Sequence, residues 1–427
     1  MHIAFLDSRF PTMSRTFVLW QMIGVLQRGH DISILPREFN PHVPRPEAVD
    51  RYELLKRTVP VPIPAGFPKR QAAFVGSTAR AVAAEPGTVA GAVCGLLGAR
   101  FSVRQFHELV ARHCAAPTPM RFDVLHAHFG KSGKRAMFMR RHKAIDGPLI
   151  ASFHGQDVNV LPRKRRYGRN MYRELFHEAE LLTVNSRFLA SVLIDSLHAP
   201  EERVVRLPMG VATAAIPWRP RTRNTEQVRL LTVARLTEVK GIEYAIRAVA
   251  RLAETYPELR YSIVGKGHCG AQLKRLAAEL GVAERVEFHG AKPWEEVVGY
   301  FESHDLFVLP SVVTADGAQE AQGVVLLEAQ AAGMPVLATR VGGIPESVRD
   351  GESAILVAPR DEEALAEALA HLLEHPERWP PMGAAGRAFV EREFEHEMLI
   401  DRLTQLYRDV ACGRDIQAVP PGTENEA

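Results

Sequence analysis

The sequence predicts two doubly wound α/β domains facing each other across a cleft. Three observations carry this expectation. The chain has 427 residues, enough for two domains of ordinary size. Short apolar runs alternate with segments of helical periodicity, the βαβ pattern that builds parallel sheets. A polar, proline-bearing stretch from Pro217 to Thr225 (PWRPRTRNT) divides the alternation in two. The expected domains are residues 1–215 and 226–394, with a helix at 395–412 crossing back to the first domain and a tail at 413–427.

Apolar residues make up 46% and charged residues 24%, a soluble globular profile. No run of about 20 apolar residues is present, so no membrane-spanning helix is expected. The opening MHIAFLDSRFP lacks a basic leader and reads as a first strand. Cys94, Cys114, Cys269 and Cys412 show neither pairing nor metal-ligand spacing, which fits a reducing, cytoplasmic compartment. A net charge of +3 is too small to argue for nucleic acid, and the aromatic patterns of RNA-binding modules are missing. Two basic clusters stand out in the first half: Lys131, Lys134, Arg135, Arg140, Arg141 and Lys143, then Arg163 to Arg166 with Arg169. A solvated face and a contact with anionic lipid headgroups or a lipid-linked pyrophosphate both fit them, the latter placing the protein peripherally on the inner face of the membrane.

In the first half, strands are expected at His2–Leu6, Asp31–Leu35, Phe122–His126, Leu149–Ser152, Leu181–Asn185 and Arg203–Leu207. A turn from Asp7 to Thr16 leads into a helix over Phe17–Gln27, with Ser14 a candidate N-cap and Gly29 the stop. Residues from Arg37 to Pro68 read as loop, and those from Gln71 to His113 as weakly amphipathic helices, either core-packing or acceptor-facing. His126 and His128 flank the end of one strand, and without a third ligand they do not make a metal site. His154 follows another strand, before Gly155, where a ligand contact and a structural histidine are both open readings.

The second half opens with the strand Arg229–Ala234 and the loop Arg235-Leu236-Thr237-Glu238-Val239-Lys240-Gly241. Two cations in a strand-to-helix loop suit a diphosphate and could stabilise its departure without a metal. After Tyr261–Val264, Gly265 and Gly267 form a turn through which the backbone can approach a nucleotide. A strand over Arg285–Phe288 follows. The unit from Asp305 to Ala338 then reads strand, loop, helix, strand, with Glu320 in the loop and Glu328 inside the helix. The helix N-terminus at Gly323 and Val324 offers unpaired N–H groups suited to phosphate. A carboxylate at Glu328 can accept the two vicinal hydroxyls of a ribose, and one at Glu320 those of a hexose. The chemistry suggests a nucleotide-sugar; the alternative is two solvated glutamates. A strand at Ile355–Val357 and helices at Glu362–Glu374, Pro381–Phe394 and Met398–Val410 complete the chain.

The segment from Glu320 to Glu328 resembles the E-x7-E motif of retaining glycosyltransferases of family 4, also called group 1. Ala329 to Val336 (AQAAGMPV) matches the family's A-x3-G-x-P-V, and Gly342-Gly343-Ile344-Pro345-Glu346 its Gly-Gly-x-x-Glu turn. Arg235 to Gly241 resembles R-x4-K-G, Phe153 to Asp157 resembles F-H-G-x-D, and Pro208 to Val211 resembles the P-x-G-V-D hinge, with Ala212 in place of Asp. Phe10 to Phe17 is similar to the F-P-x-x-S-E-T-F of an exopolysaccharide branch resembling colanic-acid enzymes, with Arg15 in place of Glu.

The resemblance implies the GT-B architecture and retaining transfer of a hexose from a nucleotide-diphosphate sugar to a saccharide, lipid-linked in this branch. It implies that His154 contacts the donor hexose near its anomeric carbon, that Asp157 orients the loop, and that the base is held through backbone groups. Catalytic roles are therefore expected for His154, Arg235, Lys240 and Glu320, and donor binding for Glu328, Gly265, Gly267, Gly323 and Val324, with no metal or other cofactor. Other functions remain open: a nucleotide-sugar epimerase or phosphorylase of the same architecture, or a nucleotide-sugar-binding module without catalysis.

Overall fold

A computed structural model describes residues 1–12, 16–60, 119–163, 168–223, 227–414 and 416. The expected N-cap Ser14, the segment Gln71–His113, the basic residues Lys164–Arg166, the linker's last two residues and the tail 419–427 lie outside the described residues.

The first half contributes strands β1 (His2–Phe10), β2 (Asp31–Phe39), β3 (Met120–Arg121), β4 (Val124–His128), β5 (Ile145–Asp146), β6 (Leu149–Phe153), β7 (Leu181–Val184) and β8 (Val204–Arg206). β3 and β5 pair with each other, and the other six form a parallel sheet in the order β2-β1-β4-β6-β7-β8. The second half contributes β9 (Val228–Val233), β10 (Leu259–Val264), β11 (Val286–Gly290), β12 (Leu306–Leu309), β13 (Val336–Thr339) and β14 (Ala354–Val357). These form a second parallel sheet, β11-β10-β9-β12-β13-β14. The α/β architecture of two doubly wound sheets is thus present. Each sheet reverses its winding once, between β1 and β4 and between β9 and β12. Ligands of such sheets bind beyond the strands' carboxyl ends at those two points.

The continuous apolar runs have a packing reason. β4, β6, β7, β12 and β13 bury every residue, because helices cover both faces of the sheets. Two boundaries differ from the sequence expectation. β1 does not turn at Asp7 but continues to Phe10, its register with β2 running to Arg9↔Glu38 and Phe10↔Phe39. The Arg9 guanidinium lies 2.8 Å from the Glu38 carboxylate across that pair, so polar residues extend the strand. Accordingly Arg37–Phe39 is strand, and a short helix (Ala48–Arg51) interrupts the region read as loop. β4 runs two residues beyond the expected end, so His126 lies inside it and His128 is its last residue; both are fully buried.

The linker is less polar in effect than in composition. Arg221 is completely buried, its guanidinium donating to the carbonyls of Phe301 (2.8 Å), Glu302 (3.0 Å) and Ala332 (2.7 Å). Burial lowers its pKa to about 10, and the three carbonyls offset that loss of hydration. Further on, the helix His396–Ala411 lies on the first sheet, where Leu399, Ile400, Leu403 and Tyr407 share a core with Phe5, Leu19 and Ile23. The chain therefore crosses between the halves twice, and the crossings are bonded together. Val211 N–H donates to Phe394 O (2.9 Å), and His396 N–H donates to Val211 O (3.1 Å).

Candidate functional site

Between the carboxyl ends of the two sheets lies a cleft of about 460 Å³. Phe17, Phe129, His154 and Gln156 line it from the first half. Arg235, Thr237, Glu238, Lys240, His268, Thr314, Asp316, Gln319 and Glu320 line it from the second. All four residues expected to be catalytic thus meet at one cleft. Glu328, Gly265, Gly267, Gly323 and Val324 are not among its lining residues.

His154 leaves β6 through a turn held by Asp157. The buried Asp157 carboxylate accepts from the N–H groups of His154 (3.1 Å), Gly155 (3.0 Å) and Gly130 (2.9 Å). Desolvation pushes its pKa up, and the three backbone donors oppose that shift. The imidazole of His154 is packed between Phe17 and Phe129, at 4.9 and 4.7 Å between ring centroids. His128 stacks on it and places Nδ1 3.1 Å from its Nε2. Sequence reasoning weighed His128 only as a metal ligand. The available signal was strand periodicity, which puts His126 and His128 on one face of β4.

Lys240 and Glu320 form an ion pair across the cleft floor, Nζ to Oε1 at 2.5 Å, with each side chain only about one-eighth exposed (13% and 12%). Arg235 is exposed at the mouth. Gly241 lets this loop pass β12: its φ is +57°, and a Cβ there would lie 2.0 Å from Pro310 O. The glycines of the next turn serve the same end. A Cβ at Gly265 would meet Ala234 O at 1.7 Å, and one at Gly267 would meet Leu236 O at 2.0 Å. Both glycines thus let two backbone loops lie against each other.

The Glu320 loop is held from below by the Gly-Gly turn. Gly343 N–H donates to Glu320 O at 3.0 Å, and a Cβ on Gly343 would lie 1.9 Å from Ala321 O. Three residues on, Glu346 reaches into the first half. Its carboxylate accepts from the N–H groups of Arg187 and Phe188, both at 2.8 Å, at the start of the helix Arg187–Ser191. The Ser186 hydroxyl accepts from Leu189 N–H at 3.1 Å, so side chains satisfy three of that helix's first free donors.

Glu328 lies one turn into the helix Val324–Ala331. Trp294 donates its indole N–H to the Glu328 carboxylate at 3.2 Å. The residue keeps partial solvent exposure, but its carboxyl group is crowded by protein, and desolvation pushes its pKa up to about 7. The Trp294 ring meets Trp20 of the first half at 6.1 Å. Trp294 was missed in the sequence. Its signal was a large amphipathic ring just after Pro293, at the start of the helix that follows β11.

One further cluster touches this cleft. Glu238, His268 and Cys269 bring a carboxylate oxygen, a ring nitrogen and a sulfur within 4.8 Å of one another. Partial burial, and after it the neighbouring Glu238 and Glu243, push the pKa of the Cys269 thiol up. The three arginines of the first basic cluster are tied into the fold. Arg135 is buried and donates to Leu35 O (2.7 Å) and Pro36 O (3.2 Å). Arg140 pairs with Glu180 (2.8 Å), and Arg141 with Glu174 (2.8 Å) and Glu178. Among the described residues no helix is long and apolar enough to cross a membrane.

Comparison with known proteins adds an independent line. Residues 218–389 match the model of glycosyl transferases group 1, and residues 24–215 that of glycosyltransferase family 4. The amylovoran biosynthesis glycosyltransferase AmsK of Erwinia amylovora is 32% identical over 417 residues, which span 96% of this chain and all of that protein. The putative colanic acid biosynthesis glycosyltransferase WcaL of Escherichia coli K12 is 31% identical, over 95% of this chain and 99% of its own. Among solved structures, sucrose-phosphate synthase of Thermosynechococcus elongatus superposes with a TM-score of 0.72 at 19% identity, covering 97% of this chain and all of that one. Anabaena HepE, crystallised with UDP, superposes at 0.71 with 16% identity, covering 96% and 100%. These two likenesses concern the fold alone.

Proposed function

The chain belongs to the group 1, family 4 glycosyltransferases, and from that premise we propose that it moves a hexose, with retention, from a nucleotide-diphosphate sugar to a saccharide acceptor carried on a lipid, in exopolysaccharide assembly. One observation carries the reading. His154, Arg235, Lys240 and Glu320, from three separate loops, converge on a single cleft where the two parallel sheets point their carboxyl ends. The relatives' names, amylovoran and colanic acid biosynthesis, support the polymer class.

In this reading the donor diphosphate lies between Arg235 and Lys240, and the ribose hydroxyls bond to Glu328. Lys240 is paired with Glu320. An arriving diphosphate competes for the ammonium and releases the Glu320 carboxylate to the hexose hydroxyls. His154, fixed between two phenylalanines, orients the sugar at its anomeric carbon. The bond from that carbon to the phosphate oxygen breaks as the acceptor oxygen bonds to the same face. The acceptor proton passes to the leaving diphosphate, whose charge Arg235 and Lys240 neutralise. No metal is required for this step.

The test is binding and slow hydrolysis of UDP-, GDP- and ADP-sugars without added metal. One donor is expected to bind and to hydrolyse, with hydrolysis lost in Glu320→Gln and binding lost in Lys240→Ala. Turnover unchanged in both variants would refute the site assignment. An epimerase would convert the donor without acceptor, and a phosphorylase would require free phosphate.

A further inference from the structure

The Glu320 loop belongs to the second half of the chain, yet one of its side chains is bonded to the backbone of the first. Gln322, two residues after Glu320, is 2% exposed. Its side-chain Oε1 accepts from Met209 N–H at 2.9 Å, and its Nε2 donates to Met209 O at 2.9 Å. One side-chain amide thus takes both backbone groups of a residue 113 positions away, in the Pro208–Val211 crossing. Neighbouring contacts continue the seam. A Cβ at Gly155, beside His154, would lie 2.8 Å from the Ala321 Cβ, so the two loops touch there. On its other side Gln322 is tied into its own half, its carbonyl accepting from the Ser347 hydroxyl at 2.6 Å.

From this we infer that Gln322 is a positioning residue: by bonding Met209 it sets the register of the Glu320 carboxylate against His154 across the cleft. The inference rests on the roles proposed above for Glu320 and His154. Its physical basis is the paired geometry. A single hydrogen bond allows rotation about its axis, whereas two bonds to the N–H and C=O of one residue fix both translation and twist. Both bonds are buried, so water does not compete for them, and breaking them strands a donor and an acceptor. Nucleotide binding needs only groups of the second half, so loss of Gln322 is read in turnover and spares nucleotide affinity.

The test uses the full chain, with UDP-glucose and GDP-mannose as probes, taking whichever the wild type hydrolyses. Gln322→Leu keeps the volume and removes both bonds. It is expected to lower kcat about ten- to a hundredfold while the Kd for the matching UDP or GDP stays within about twofold. Gln322→Glu supplies the second readout. A protonated carboxylic acid reproduces both bonds to Met209, whereas the carboxylate opposes the Met209 carbonyl. Its activity relative to wild type is therefore high at pH 5.5 and falls as pH rises through its burial-raised pKa, while the ratio for Gln322→Leu stays flat. A Gln322→Leu enzyme within twofold of wild-type kcat, or a flat ratio for Gln322→Glu, overturns the inference. Glu320→Gln measured in parallel separates the two readings. Full activity in Glu320→Gln refutes the proposed site, and its loss beside an active Gln322→Leu refutes the positioning role alone.

Discussion

Replacing Glu328 with Gln should make the empty protein more stable at pH 8 and leave it unchanged near pH 4.5. The carboxyl's pKa is raised from 4.5 to about 7 by desolvation, and Trp294 donates a hydrogen bond to it. Because the folded state holds this proton more tightly than the unfolded one, stability falls as pH rises from 4.5 through about 7. The full difference corresponds to about 3 kcal/mol, and partial exposure of the residue brings the expected gain to about 1–3 kcal/mol. Gln has nearly the same shape, carries no charge, and still accepts from the Trp294 indole. The assay is a melting curve of wild type and Glu328→Gln, without nucleotide, at half-unit steps from pH 4.5 to 8.5. The variant's midpoint should rise relative to wild type by about 2–8 °C across that range and then level off. At pH 8 the same variant should bind the donor nucleotide more weakly, since the neutral amide accepts the ribose hydroxyls less strongly. A stability difference that does not change with pH, or a variant less stable at pH 8, would refute the desolvation argument.

Other outcomes follow from neighbouring contacts. Lys240→Met strands the Glu320 carboxylate in a largely covered site and should cost about 2 kcal/mol of stability; adding Glu320→Gln should restore the melting point without restoring turnover. Gly343→Ala would push its Cβ into Ala321 O, 1.9 Å away, and should lower both the melting point and kcat, whereas Gly299→Ala, with open space around it at an exposed helix position, should lower neither. Trp294→Phe removes the hydrogen bond that lowers the Glu328 pKa, so the acidic fall in nucleotide binding, followed by titration calorimetry, should move to higher pH.

Much of this arrangement was legible in the sequence, because the legible parts are local. The alternation of β9 to β14 with their helices follows from periods of two and 3.6 within short windows. The helix Glu362–Glu374 was placed to the residue, because Asp361 caps it by accepting from Ala364 N–H. The meeting of His154, Arg235, Lys240 and Glu320 was also foreseeable, since each follows a strand's carboxyl end. The contacts that register them were not. Gln322 with Met209 and Glu346 with Arg187 join residues more than a hundred positions apart, and no periodicity reports such pairs. The polar tail of β1 misled in another way: Asp7, Ser8 and Arg9 read as a turn, but an ion pair with β2 keeps them extended. Arg221 shows the converse, a charge in a polar linker that lies fully buried because three carbonyls surround it.

The helix His396–Ala411 carries a consequence for how the protein is made. It inserts Tyr407 beneath the first sheet, where the phenol oxygen lies 2.6 Å from His126 Nδ1, and lays Ile400 over Gly24. The sheet it covers is complete in sequence at Arg206, roughly 200 residues before the helix ends. At about 5–20 residues per second, a ribosome leaves the apolar flank of β1 and β4 uncovered for some tens of seconds. During that interval the second half can finish folding, since its own six strands are contiguous. The nascent first half therefore depends on a late segment of its own chain, and a stalled or truncated product ending before His396 would present that flank to chaperones.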